Sequence, residues 1–462
     1  MLSYIQVRDI RDVNVQSYLS DIYMKTRSIS FIVLCITLIA SCFIINKGVF
    51  DAAYAQNNTN IFGTDGNKQS SGHEGLPYLG VNMRGYYTSL PQAREDLKDP
   101  FPSNYYESSF KTLSQADVID HVRYRFYWES YVRDPVAFIK ELEDVAKTAD
   151  KYGIKVIYDN HQFHTSSWLN VGRGTGFPAY LFNDPVLYKQ GSGGTPKSTA
   201  AETWWTNWWN RTIKSVNGTD GWTLQEDFLK KIVSTVDKHP STLGYEILSE
   251  PQVHTKDQWT KIGKYNTFMV DALRKLTSKT IIYSMNIPID LKSPIQVNAE
   301  NLAKMSPNNK QNIVFKFSLY GIPNDGYQSD KLQLFENASR IAGVPLYIGE
   351  WNNVKRVATI NEEGKKIWQI EANQSNISQA DANMIVEKFK GIGIWGMAYW
   401  EWSFVINETP NFNLVDIMYD KVTGAGKIQP TKYFEIMTKA YQDVYGQPSE
   451  RVFPTVSRST LS

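Results

Sequence analysis

Leu243-Gly244-Tyr245-Glu246-Ile247-Leu248-Ser249-Glu250-Pro251 is an apolar run that ends in a carboxylate, and Pro345-Leu346-Tyr347-Ile348-Gly349-Glu350-Trp351 ends in a second carboxylate one hundred residues later. Short apolar runs bounded by Gly or Pro read as buried strands. Six others share the texture: Tyr78 to Asn82, Val118 to Phe126, Ile154 to Tyr158, Ile281 to Met285, Ile313 to Ser318 and Ile394 to Trp400. Amphipathic stretches lie between or after them, at Pro135 to Tyr152, Leu224 to Lys238, Asp257 to Leu276, Asp330 to Ala342, Ser378 to Lys390 and Pro430 to Tyr445. Strand and helix in alternation build a parallel sheet. Eight such units predict an α/β fold, a single (β/α)8 TIM barrel in which the C-terminal ends of the strands converge on one pocket.

Outward from the barrel, residues 56–75 are polar, rich in Asn, Gly and Ser and without periodicity, and read as a linker. The expected division is an export or membrane segment at 1–55, this linker, a catalytic domain at 76–450 and a short tail at 451–462. The most apolar run is Ile29 to Ile45, with Lys25 and Arg27 before it and Ala53-Tyr54-Ala55 after it. A basic start, an apolar stretch and a small-x-small site make a signal peptide cleaved after Ala55, with Met24 as an alternative start. An uncleaved anchor and a lipid-modified Cys42 are the rival readings. The signal peptide implies a secreted protein, whereas the uncleaved segment would leave it membrane-anchored.

Composition excludes some classes of function. Of 462 residues 42% are apolar and 13% aromatic, enough for a large core. With 49 basic against 47 acidic residues the chain lacks the basic stripe that nucleic acid needs. Both cysteines, Cys35 and Cys42, lie in the apolar run, so nothing after Ala55 can form a disulfide or a thiolate metal site. No metal or organic cofactor is implied, and a monomer acting on a polysaccharide or oligosaccharide is expected.

A lone glutamate is usually a solvated surface charge. Glu250 and Glu350 instead end runs that should be buried, where an unpaired carboxylate is costly unless function retains it. Two carboxyls at converging strand ends suit glycoside cleavage, one protonating the leaving oxygen and one attacking the anomeric carbon. The surrounding segments agree in order and spacing: Gly80-Val81-Asn82-Met83-Arg84-Gly85, Val122-Arg123-Tyr124-Arg125-Phe126-Tyr127-Trp128-Glu129, Tyr158-Asp159-Asn160-His161, Glu250-Pro251, Glu350 and Ala398-Tyr399-Trp400-Glu401-Trp402. Together they resemble glycoside hydrolase family 5, the cellulase-like group of retaining enzymes, from Gly80 to Trp402. The resemblance implies that Glu250 is the acid/base and Glu350 the nucleophile, that Arg123 and Tyr320 hydrogen-bond Glu350, and that His161 and Trp400 contact the sugar in the −1 subsite.

Two positions depart from the family pattern: Ser249 stands where an Asn usually precedes the acid/base, and Ser318 replaces the His of His-x-Tyr. A serine offers one donor where an amide offers two, so Ser249 would hold the sugar 2-OH more weakly or through water. Glu250 is expected in a dry aromatic setting. Trp168, Trp351 and Trp402, just past strand ends, are candidates for further sugar subsites, while Trp204, Trp205, Trp208 and Trp209 at helical spacing read as core. His161 and His164 lack companion ligands, and a sugar contact suits His161 better than a metal. Asp159 and Glu401 read as ion-pair partners of Arg123 or Arg125.

The resemblance implies an endo-acting β-1,4-glucanase. A β-mannanase, another β-glucan or glycolipid hydrolase, and a non-catalytic carbohydrate-binding surface protein are the alternatives. From the N-terminal pattern the mature chain should begin at Gln56; N-terminal sequencing of native material checks this, and an intact 29–46 segment recovered in membranes would establish the anchor instead.

Overall fold

The structure, a computed structural model, describes residues 76–92, 102–285, 295–321, 326–352, 356–360, 366–370, 378–403, 413–419, 423 and 426–446. The expected export segment, linker and tail at 1–55, 56–75 and 451–462 lie outside these residues. No described helix is long and apolar enough to cross a membrane.

Eight parallel strands close a barrel: β1 (Tyr78–Arg84), β2 (His121–Phe126), β3 (Lys155–Asn160), β4 (Thr242–Glu246), β5 (Thr280–Ser284), β6 (Ile313–Tyr320), β7 (Leu346–Asn352) and β8 (Gly396–Tyr399). Each pairs with its sequence neighbours, and β1 closes the ring on β8. All eight fall on the predicted runs. The predicted fourth strand, Leu243 to Leu248, stops early because the chain leaves the ladder after Glu246, so Glu250 lies in the following loop rather than at the last strand residue. Antiparallel hairpins at Arg356–Ile360 with Lys366–Ile370, and at Val415–Tyr419 with Gly426–Pro430, add to the predicted elements.

Two apolar layers hold the barrel. Inside it, Ile157, Ile282, Val314, Tyr347 and Ala398 form a plug from five strands. Outside it, strand residues such as Val81, Val122, Tyr158, Ile281 and Phe315 pack against the helices. The helices start where the sequence allows: Asp134 accepts from the Ala137 N–H with Pro135 in the first turn, and Gly153 at φ +70° closes Pro135–Tyr152.

Trp204, Trp205, Trp208 and Trp209 on the helix Thr199–Trp209 are all buried and form part of the core, as their spacing predicts. Trp204 stacks on Trp208 at 5.2 Å, Phe177 fills the gap at 4.9 Å from Trp208, and a Cβ at Gly221 would fall 2.5 Å from the Trp208 ring. Trp208 Nε1 has no hydrogen-bond partner. Trp208→Ala should therefore destabilise the fold by about 3 to 5 kcal/mol, the usual cost of emptying a large aromatic site. Trp208→Phe, which loses no hydrogen bond, should cost clearly less. Urea denaturation of the two variants tests this, and equal losses would refute the packing account.

Candidate active site

Alternation along the strands decides which side chains enter the barrel. On β2 it turns Arg123 inward, where the side chain is fully buried, and neighbouring strands set polar groups around it. Four hydrogen bonds and an ion pair hold it. Nε donates to Glu246 Oε2 at 2.8 Å, Nη1 to Asn82 Oδ1 at 2.8 Å and Glu350 Oε1 at 3.0 Å, and Nη2 to Ser249 Oγ at 3.0 Å, while Nη2 also lies 2.8 Å from Asp159 Oδ2 as an ion pair. The contact expected between Arg123 and Glu350 is present. Burial alone would lower the Arg123 pKa, but Asp159, Glu246 and Glu350 more than offset it and hold the guanidinium charged.

Glu350 points inward because of a bulge. Between β6 and β7 the register steps from Phe317 opposite Ile348 to Ser318 opposite Glu350, passing over Gly349. The Gly349 carbonyl accepts from Asn82 Nδ2 at 2.8 Å. Glu350 Oε1 also accepts from Lys316 Nζ at 3.0 Å, and Oε2 accepts from the Tyr320 hydroxyl at 2.5 Å. Burial would push this carboxyl up, yet Lys316 and Arg123, helped by the Tyr320 hydroxyl, hold it well below the usual carboxylate range. It is ionised in the resting protein.

Glu250 has φ +46°, a left-handed conformation uncommon for a side chain of its size. The loop is fixed from three sides. Gln162 Nε2 donates to the Ser249 and Glu250 carbonyls at 3.0 and 2.5 Å, the Ser249 N–H donates to the Asn160 carbonyl at 3.0 Å, and the Glu250 N–H donates to Ser284 Oγ at 3.1 Å. Such over-determined strain gathers at functional sites. The Ser318 hydroxyl donates to Glu250 Oε1, and Lys316 Nζ lies 3.6 Å from the same oxygen. The dry aromatic setting expected for Glu250 is thus corrected to a cationic one.

Lys316 was not picked out by sequence reasoning, nor were Glu246 and Asn82. A lysine inside the apolar run Ile313 to Phe317, two and four residues before Ser318 and Tyr320, shares their inward face. That period-two signal was available. Lys316 is fully buried, and although burial lowers its pKa, Glu350, Glu246 and Glu250 raise it above the ordinary value, so it is an ammonium ion.

His161 Nδ1 lies 2.9 Å from Asp159 Oδ2, and its ring stacks near that of Trp400 at 5.7 Å. Burial drives the His161 pKa down to about 3, so the ring is neutral. Arg125 lies over Trp400 at 4.2 Å and pairs with Glu401, as Arg123 does with Asp159, so both carboxylates are the ion-pair partners expected. Trp400 keeps part of its surface exposed. His164 turns to Asn170, with 3.1 Å between Nδ1 and Nδ2, away from any pairing with His161. Among the described residues no group of three His, Cys, Asp or Glu could hold a metal ion.

Two of the candidate subsites are corrected. Trp351 follows inward-facing Glu350, so alternation turns it outward into the helix layer, where it is 1% exposed against Phe389 and Tyr441. Trp402 is buried against Phe434 and donates to Ser109 Oγ at 3.0 Å. Neither can stack on a sugar. Trp168 is half-buried and donates to the Tyr188 carbonyl at 2.9 Å, bracing its loop.

The model of the family described as Cellulase (glycosyl hydrolase family 5) matches residues 77–387. No curated protein matches the chain in sequence. Among solved structures, an endogalactoceramidase is similar at TM-score 0.56 and 15% identity, covering 79% of this chain and 80% of that one. A lactosyl-enzyme intermediate of endo-glycoceramidase II from Rhodococcus sp. matches at 0.51 and 16%, over 71% and 73%. A family 5 enzyme from Prevotella bryantii B14 matches at 0.51 and 12%, over 80% and 97%. At these identities the likeness is one of fold.

Burial raises Asp159 to about 6 and Glu401 to about 7 despite Arg123 and Arg125. A carboxyl whose folded pKa exceeds its unfolded value of about 4 binds its proton more tightly when folded, so this contribution to stability declines as pH rises from about 4 to about 7. Glu401→Gln should make that decline shallower. Urea midpoints of both proteins across that range test it, and equal slopes would mean that Glu401 is ionised throughout.

Proposed function

The chain belongs to glycosyl hydrolase family 5 and is a glycoside hydrolase, and we propose that it cleaves β-glycosides with retention of configuration, Glu350 acting as nucleophile and Glu250 as acid/base. One observation carries the choice of retention. A single atom, Lys316 Nζ, lies 3.0 Å from Glu350 Oε1 and 3.6 Å from Glu250 Oε1, so these oxygens are no farther apart than the two distances laid end to end. That limit accommodates the retaining separation of about 5 to 5.5 Å and reaches only the lower edge of the inverting range of about 6.5 to 9.5 Å.

In the first step Glu350 attacks the anomeric carbon, the glycosidic bond breaks, and the Glu250 proton passes to the leaving oxygen. In the second, Glu250, now a carboxylate, takes a proton from water, the resulting hydroxide attacks the anomeric carbon, and the ester to Glu350 breaks. Arg123 and the Tyr320 hydroxyl keep Glu350 ionised and aimed. With Nδ1 turned to Asp159, the neutral His161 offers Nε2 to a sugar hydroxyl, and the partly exposed Trp400, braced by Arg125, stacks on the ring of the sugar.

The proposed substrate is a β-1,4-linked glucan cut at internal bonds, the reading favoured by the description of the matched family. A β-linked glycolipid is the second reading, favoured by the similarity to the endogalactoceramidase and the endo-glycoceramidase. Both present a β-glycosidic bond to the same carboxyls and differ in the leaving group. Reducing-end release from β-1,4-glucan, mixed-linkage glucan and mannan, set beside cleavage of lactosylceramide, separates them.

Glu250→Ala and Glu350→Ala should each lose at least about a thousandfold in kcat on natural substrates while remaining folded. With an activated aryl β-glycoside, azide should rescue Glu250→Ala to a β-glycosyl azide and Glu350→Ala to an α-glycosyl azide. Reversed anomers would exchange the two roles, and an unimpaired variant would remove its residue from the chemistry.

A further inference from the structure

We propose that Lys316 is a positioning residue that acts as a counter-ion shared by the two catalytic glutamates, pairing with Glu350 in the free enzyme and with Glu250 once Glu350 is esterified, and that Ser249, Ser318 and Gly349 are small because they make room for it. This rests on the retaining reading above.

The ammonium has three donors and three hydrogen-bond partners: Glu350 Oε1 at 3.0 Å, Ser318 Oγ at 3.0 Å and Ser249 Oγ at 3.4 Å. Ser318 accepts from Lys316, so its own proton is directed to Glu250 Oε1. Lys316 therefore reaches the nucleophile directly and the acid/base through one hydroxyl, with Nζ itself 3.6 Å from Glu250. Arg123 does not do this, because its hydrogen bonds and ion pairs go to Glu246, Asn82, Glu350, Ser249 and Asp159 and none goes to Glu250.

The space around Lys316 points the same way. A Cβ added at Gly349 would fall 2.6 Å from both Cγ and Cε of Lys316. An amide at position 249 or an imidazole at 318 would compete for the volume that Nζ and its hydroxyl partners fill. The two departures from the family pattern are thus one feature with Lys316 at its centre, rather than two separate losses of a sugar-binding group.

A second buried cation beside a nucleophile that Arg123 already pairs is not explained by stability, since burying a charge is costly and an apolar residue of similar volume would fill the space. The charge pattern of the reaction explains it. The free enzyme carries one negative charge on the pair, at Glu350, with the proton on Glu250. The glycosyl-enzyme also carries one, now at Glu250, because Glu350 is a neutral ester. The sum is unchanged and the location moves. A cation within reach of both oxygens remains paired throughout and favours the carboxylate form of Glu250 that must take a proton from water.

The charged and titratable groups facing the ammonium are Glu350 on β7, Glu246 and Glu250 on β4 and its loop, Arg123 on β2, Asp159 on β3 and Tyr320 on its own strand. Arg123 engages Glu246 and Asp159 directly, so loss of Lys316 falls mainly on the catalytic pair.

The test is Lys316→Met in the full chain, assayed on an aryl β-glycoside by kcat/KM against pH, with the anomer of the first product read by NMR. The acidic limb reports ionisation of Glu350 and the basic limb protonation of Glu250. Removing a cation disfavours the charged form of the carboxylates it faces, so both limbs should move to higher pH by about one unit or more, and turnover of the glycosyl-enzyme should fall at least tenfold. Lys316→Arg should recover part of the shift. Ser318→Ala breaks only the branch to Glu250, so it should move the basic limb and leave the acidic one. A folded Lys316→Met with unmoved limbs would overturn the proposal and make the lysine purely structural. Should that variant not fold, an unmoved basic limb in Ser318→Ala overturns it instead. An inverted first product from the wild type would refute the retaining reading itself, whereas retention with unmoved limbs would refute the shared counter-ion alone.

Discussion

A guanidinium with no exposure to water, held by four hydrogen bonds and an ion pair, is the constraint on which the rest of this site depends. Arg123 ties together Asn82 of β1, Asp159 of β3, Glu246 of β4, Ser249 of the following loop and Glu350 of β7. Each partner comes from a different element, so a change in strand register or barrel stagger would leave a buried donor or carboxylate unpaired. A buried charge without its partner costs far more than a well-paired one contributes. The network therefore specifies the register of half the barrel while adding little to its net stability, and that stability must come from elsewhere.

It comes from two apolar layers, one inside the barrel and one around it. The plug of Ile157, Ile282, Val314, Tyr347 and Ala398 lies earlier along its strands than the inward residues Asp159, Lys316 and Glu350. The outer layer, with its four tryptophans, binds the helices to the strands. A barrel interior can be polar at its C-terminal end because the chain has buried ample apolar area at the other end and around the outside. The β6–β7 bulge then makes the one local adjustment that the chemistry requires, passing over Gly349 so that Glu350, rather than its neighbour, faces Ser318.

Much of this was legible in the sequence, and the misses have physical reasons. Eight apolar runs marked eight strands, because a parallel strand covered on both faces must be apolar along most of its length. Glu250, Glu350, Arg123, Tyr320, His161 and Trp400 were singled out from carboxylates at strand ends and from the family resemblance, and the structure gathers them at one end of the barrel. Trp351 and Trp402 were misplaced because nearness to a strand end was given more weight than alternation: once Glu350 faces inward, its neighbour must face out. Lys316 was passed over because a lysine within a run is usually an interruption on an exposed face. Only its period-two relation to Ser318 and Tyr320 distinguishes it. The hairpins at 356–370 and 415–430 carried no comparable signal, since they stand apart from the barrel's repeat.

The same geometry separates what this site decides from what it leaves open to the loops. Under the proposed mechanism the residues joined by Arg123 and Lys316 surround the nucleophile and acid/base, so they would fix bond cleavage and stereochemistry at the anomeric carbon. None of them reads the group on the far side of the glycosidic oxygen. A glucan chain and a lipid differ there, and the residues meeting that difference must come from βα loops such as the one after β3, where Gln162 and Trp168 are each anchored by a side-chain hydrogen bond. A fixed polar centre beneath variable loops lets one barrel retain its chemistry while its leaving group changes. For that reason the departures at Ser249 and Ser318, which surround Lys316 inside the barrel, bear on how charge is carried through the two steps rather than on which polymer or lipid is bound.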